Sequence, residues 1–117
     1  MNNNLRLVVN NIHNKKLEDK NFFEKDELKI ILNLYAKMVS GGEWKDYGLS
    51  ISKKEVSFNV YRRASEQPVY KITKNLNPKN YNEKYIVKDS QNKIINNSEN
   101  LEILIKKIIW KKLKLVN

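Results

Sequence analysis

Apolar residues first recur at helical spacing between residues 24 and 40. Leu28, Ile31, Leu32 and Tyr35 fall on one side of a 3.6-residue turn, and Met38 and Val39 continue the stripe. Glu24 and Glu27 open the segment, where acids suit the positive end of the helix dipole. Gly41 and Gly42 close it with the flexibility that a left-handed C-cap needs. Phe22 or Phe23 is placed to fold back as a hydrophobic staple.

The period then changes to two. Tyr47, Leu49 and Ile51 alternate with polar residues, as do Val56, Phe58 and Val60, and Ser52 to Lys54 is short enough to join them as a hairpin. Ala64 to Pro68 reads as a second turn, and Tyr70 and Ile72 mark one face of a third strand. Asn75 to Asn82, with Pro78, reads as a loop. Residues 84–88 and 93–95 flank Asp89-Ser90-Gln91-Asn92 as another hairpin. A last helix is predicted from Ser98 as N-cap, with Glu99 and Glu102 in its first turn. Its apolar stripe is Leu101, Leu104, Ile105, Ile108 and Ile109, and Lys106, Lys107, Lys111 and Lys114 lie on the opposite arc.

The pattern therefore predicts an α+β fold. An antiparallel meander of four or five strands lies between two helices, in the order helix–strands–helix, and both helices pack on one face. Residues 21–117 form the predicted domain. Residues 1–20 are expected to be a flexible polar N-terminal tail, whose Leu5, Leu7, Val8 and Val9 are the one apolar stretch able to add an edge strand.

Composition narrows the function by exclusion. The chain has 117 residues, 40% of them apolar, enough for one modest core. No apolar run is long enough to span a bilayer, and the N-terminus lacks the apolar core of a secretory signal, so a cytoplasmic protein is expected. Without cysteine there is no thiolate nucleophile and no thiolate metal ligand. His13, the single histidine, lies in the polar tail. No glycine-rich phosphate loop is present, because Gly41-Gly42 ends a helix before a strand, the reverse of the order such a loop requires. Glu43, Asp46 and Glu66 are the carboxylates in suggestive contexts, and structural pairing with Arg62 or Arg63 accounts for them far more readily than hydrolysis does. No catalytic constellation, metal site or cofactor is expected.

The formal charge of +10 points to an acidic partner such as nucleic acid or an anionic membrane. Almost all of it is lysine, and lysine, asparagine and isoleucine share A/T-rich codons, so a biased genome gives the same balance. The arginines, Arg6, Arg62 and Arg63, are more informative.

The most distinctive stretches are GEWKDY and FNVYRRASEQPVYKI. GEWKDY resembles the GEWRDY signature of a bacterial family known only as domain of unknown function 2794, and the second stretch is similar to that family's FxVFRRxSExPLYRIEK. FEKDELKIILNLYAKMV resembles its first helix, and KKLKLV its ending. The resemblance spans residues 22–116. It marks Glu43, Trp44, Asp46, Tyr47, Arg62, Arg63, Ser65, Glu66, Pro68 and Tyr70 as signature positions, departs at Lys45, Tyr61 and Lys71, and is poor over residues 75–97. It implies no activity, substrate or cofactor.

Strand phase supplies the candidate site. With Val56, Phe58 and Val60 inward, Ser57, Asn59, Tyr61 and Arg63 face outward, joined by Lys71 and Thr73 and then by Lys84 and Lys88. That face can stack a base on Tyr61 and hold phosphates with Arg63 and Lys71, or it is simply the solvated side of a sheet. Arg62 is in phase with the core and either clamps Glu66 or Glu43 or joins Arg63 in an anion site. Trp44 and Tyr47 are expected in the core. Trp110 falls in the basic arc of the last helix, where it either marks a partner surface or packs on the N-terminal segment. The expected function is a non-enzymatic module binding a polyanion such as RNA or DNA, with a protein–protein adaptor as the alternative and an enzyme ranked last.

Overall fold

A computed structural model of the chain describes residues 21–63, 67–108 and 110. The N-terminal tail expected over residues 1–20, with His13 and Arg6, lies outside the described residues, as do Ser65, Glu66 and the basic positions Lys111 and Lys114.

Helix α1 runs from Lys25 to Ser40. Its start is set by Glu27, whose carboxylate reaches back to accept the Glu24 N–H at 2.6 Å. This is one half of a capping box. Its end is a Schellman motif: Glu43 N–H donates to Met38 O and Gly42 N–H to Val39 O. Gly42 takes the left-handed conformation at φ 79°, while Gly41 keeps φ −84°. The buried stripe is Glu27, Ile31, Leu34 and Met38. Leu32 and Val39, expected within it, are each 40% exposed. The stripe is rotated because a buried acid heads it, and a count of apolar positions cannot register that.

Five strands follow: β1 (Asp46–Ile51), β2 (Glu55–Tyr61), β3 (Tyr70–Asn75), β4 (Tyr85–Asp89) and β5 (Ile94–Ser98). They form one antiparallel sheet in sequential order, the predicted meander. A single 3-10 turn at Tyr81–Glu83 breaks the loop before β4. Helix α2 (Leu101–Lys107) is shorter than its stripe suggests. Ser98 does not cap it. Ser98 ends β5, its hydroxyl accepts the Asn100 N–H, and Asn100 is the N-cap, accepting from Ile103 N–H at 2.9 Å. The chain turns extended at Ile108, so the helical phase does not reach Trp110.

Both helices lie on one face of the sheet. Ile31, Leu34 and Met38 from α1 and Leu101 and Leu104 from α2 meet Val56, Phe58, Val60, Ile72, Tyr85 and Val87 in one buried cluster. Its upper end is aromatic. Tyr47 stacks on Phe58 with centroids 4.7 Å apart, and Tyr35 meets both edge-on. Trp110 is only 8% exposed and sits edge-on to Tyr70 at 5.0 Å and to Trp44 at 5.6 Å, with its indole N–H donating to Ile105 O. Its expected place in the basic arc is thereby corrected: the helix stops first, and the ring swings into the core. Large flat rings in edge-to-face contact contribute beyond the area they bury.

Candidate functional site

On the face away from the helices, register aligns Gly48, Asn59, Lys71 and Lys88 in one row, and Ser50, Ser57, Thr73, Ile86 and Asn97 in the next. The second row was expected to meet water. Instead Ser57, Thr73 and Ile86 are buried, Thr73 with 1% of its surface exposed, and Asn59 beside them is buried too. Their polar atoms bond to one another. Ser57 Oγ donates to Asn59 Oδ1 at 2.7 Å and lies 3.1 Å from Thr73 Oγ1, and Asn59 Nδ2 donates to Ser50 Oγ at 2.9 Å. The centre of the face is closed, so it provides no broad ligand platform.

The rim is different. At the end of the sheet where β2 finishes and β3 begins, the chain gathers Lys45, Arg62, Arg63, Lys71, Lys88 and Lys93. Arg62 and Arg63 lie just beyond β2 and are exposed, so strand phase does not decide their direction. Lys71 stands directly across from Lys88, a like-charge pair that costs stability in an antiparallel ladder. Lys71 Nζ donates to Asn92 Oδ1 at 2.9 Å, a neutral acceptor that leaves its charge uncompensated. Two carboxylates of this end, Asp89 and Asp46, are turned to backbone work. Asp89 accepts from Gln91 N–H and Lys93 N–H, each at 2.9 Å, and Asp46 accepts from Tyr47 N–H at 2.8 Å. Lys84 does not join the row. It stands before β4, and its ammonium lies 5.3 Å from the centroid of the Tyr85 ring.

Tyr61, half-buried at the end of β2, reaches across to β1. A Cβ on Gly48 would stand 3.7 Å from Tyr61 Cε1 and 3.9 Å from its hydroxyl oxygen. The ring thus occupies the pleat that glycine leaves bare.

The signature positions assemble at this same end. Lys45 N–H bonds to Tyr61 O, Asp46 pairs with Tyr61 across the ladder, and Val69, next to the half-buried Pro68, donates to Val60 O. Trp44 is buried against Tyr70 and Tyr35, with centroids 6.2 Å apart in each case. Burial raises the Tyr70 phenol above its ordinary value; the Arg62 charge opposes this, and Glu43 and Asp89 add to it. Arg62 and buried Glu43 therefore both act on Tyr70, while the other half of the expected clamp, Glu66, lies outside the described residues.

The family model described as a protein of unknown function, DUF2794, matches residues 21–105. The chain belongs to the DUF2794 family. The match stops inside α2, so the KKLKLV ending falls beyond the DUF2794 segment. No curated protein and no solved structure matches the chain. The DUF2794 signature is largely a structural knot: Trp44, Tyr47 and Tyr70 build the aromatic end of the core, and Asp46 caps an edge strand.

Sequence reading overlooked the most polar part of the interior. Lys74, inward on β3, lies 2.8 Å from Glu27 of α1 and also donates to Phe22 O at 3.1 Å. Tyr85 donates to the other Glu27 oxygen. Every described member of this cluster is bonded. A cleft of about 330 Å³ does lie between the helices, floored by Ile30, Leu34 and Ile105 and edged by Lys37 and Lys106. None of Glu43, Asp46, Arg62 and Arg63 lines it. Among the described residues no group of three His, Cys, Asp or Glu side chains is placed to hold a metal, and no helix is long and apolar enough to cross a membrane.

Proposed function

We propose that this DUF2794 domain is a non-enzymatic module that binds a polyanion, RNA or DNA, at the cationic rim of its sheet. The observation that carries this reading is the Lys71–Lys88 pair. Two lysines directly opposed cost the fold stability, and a bound phosphate turns that cost into attraction. The neighbouring Arg62, Arg63, Lys45 and Lys93 extend the positive field, with Tyr61 at its margin. The net charge of +10 favours encounter with a polyanion at low ionic strength.

Binding of a fluorescent oligonucleotide across a salt series tests it. Affinity is expected to fall linearly on a log–log plot as salt rises, with a slope set by the phosphates engaged. Lys71→Ala with Lys88→Ala is expected to reduce that slope by about two. Absent binding at low salt, or an unchanged slope in the double variant, refutes the proposal.

A protein–protein adaptor is the second reading, favoured by β5. Ile94 and Ile95 on this outer strand are 59% and 41% exposed. Recovery of one stoichiometric protein partner after nuclease treatment, lost in an Ile94→Ser, Ile95→Ser variant, supports this reading over the first. Trp110 is buried and offers no such surface.

A further inference from the structure

We infer that the ligand of this rim is single-stranded, held by one base against Tyr61 and by its flanking phosphates at Lys71 and Lys88. The inference rests on the polyanion reading above and narrows it to a class of nucleic acid.

Three features of the face lead to it. Tyr61 lies over the bare pleat of Gly48, so its ring spreads along the sheet and is half-buried. A ring held in this way is a shelf for one base. Base–aromatic stacking needs an unpaired, unstacked base, which a duplex does not offer. The cations are spaced to match. Tyr61, Lys71 and Lys88 come from three consecutive strands, β2, β3 and β4. Neighbouring strands lie about 4.8 Å apart and the Tyr61 ring reaches over β1, so the set spans roughly 14 Å from the ring to Lys88, room for one base on the ring and its two successive phosphates on the lysine side.

The closed centre sets the limit. Among the described residues Tyr61 is the one aromatic side chain in the outward rows of β1 to β4, and beyond it come small residues bonded to each other. A second stacked base has no ring to meet. The footprint is therefore short, and recognition is tolerant of sequence, since every base has a stacking face.

The test compares a short oligothymidylate with a duplex of the same length at one salt concentration, using the full chain. The single strand is expected to bind about tenfold more tightly. Tyr61→Ala is expected to lose about that factor on the single strand and to leave the duplex unchanged, while Tyr61→Phe retains the single-strand affinity. Tyr61→Leu, which keeps Gly48 covered, separates loss of stacking from loss of fold, and it is expected to behave as Tyr61→Ala with an unaltered melting temperature. Equal binding of strand and duplex, with both weakened by the Lys71→Ala, Lys88→Ala variant, overturns this inference and leaves the polyanion reading standing. No binding of either overturns both.

Discussion

Lys74 Nζ lies 2.8 Å from Glu27 Oε1 between helix α1 and the sheet, with less than a tenth of either side chain exposed. The contact joins residues 47 positions apart in sequence. It ties the first turn of α1 to the C-terminal end of β3 and, through the Tyr85 hydroxyl, to β4. The other groups are bonded as well: Phe22 O takes a second Lys74 proton, and Glu27 also caps the helix. A buried pair with satisfied neighbours fixes position and adds little net stability over an apolar set of equal volume.

Removing one partner exposes the cost of burying the other. Glu27→Gln and Lys74→Met are each expected to destabilise by about 3–5 kcal/mol, measured by urea denaturation. The triple change Glu27→Leu, Lys74→Met, Tyr85→Phe takes all the polar groups away and is expected to recover most of that loss. Single variants that cost under about 1 kcal/mol contradict a desolvated pair.

The same cluster sets both limbs of the pH profile. Burial alone raises the Glu27 carboxyl, but the hydrogen bonds from Lys74, Tyr85 and the Glu24 N–H, with the Lys74 charge, hold it below its ordinary 4.5. A depressed carboxyl contributes stability that is present above the unfolded value and is lost as pH falls through the folded one. Tyr85 moves the other way. Burial and its bond to Glu27 push the phenol above its ordinary 10.0, so its contribution is whole below pH 10.0 and drains as pH climbs beyond it. Tyr70 and Tyr35, both raised chiefly by burial, add to the alkaline limb. In urea midpoints taken against pH, Glu27→Gln is expected to flatten the acid limb and Tyr85→Phe to soften the alkaline one. An acid limb identical in Glu27→Gln and the parent removes Glu27 as its source.

Much of the architecture was legible because period and phase are local. Val56, Phe58 and Val60 declare the inner face of β2, and the fold follows from that phase and the two stripes. What escaped is non-local. Lys74 sits at an inward position after Tyr70 and Ile72, but nothing in the chain says that a glutamate 47 residues earlier will meet it. Glu27 reads as a helix-start acid, which it is, and its second task is invisible. The register bears out the outer-face placement of Ser57, Asn59, Lys71, Thr73 and Lys88 but not that of Lys84; yet Ser57, Asn59 and Thr73 read as solvated because short polar residues satisfy one another only when register is known. The family resemblance located the signature residues without saying that most of them are packing.

Trp110 tests the extended end of α2. Its ring bridges Trp44 and Tyr70, and its N–H closes on Ile105 O. Trp110→Ala is expected to cost about 3–5 kcal/mol, and Trp110→Phe appreciably less. An exposed tryptophan in a basic arc would tolerate either change. The emission of the parent, whose two tryptophans are both buried, is expected to shift to the red only on unfolding.

The outer strands explain Asp46. Ser52 N–H donates to Glu55 O, which fixes the even-numbered residues of β1 as those bonded to β2 and turns the Tyr47 N–H off the sheet. Asp46 accepts that N–H itself, at 2.8 Å. On the far edge Asn96 does the same for Asn97 N–H at 2.8 Å, and Lys107 Nζ reaches Asn97 O at 3.5 Å. Both edges thus satisfy an outward donor with the side chain of the preceding residue, a local way of blunting strand addition. Replacing Asp46 and Asn96 with leucine frees both donors and adds apolar surface beside the exposed Ile51, Ile94 and Ile95. The double variant is expected to self-associate in sedimentation velocity at concentrations where the parent does not change with dilution, and each single variant to do so less. A double variant that sediments as the parent does would show that the edges are guarded by something other than these two caps.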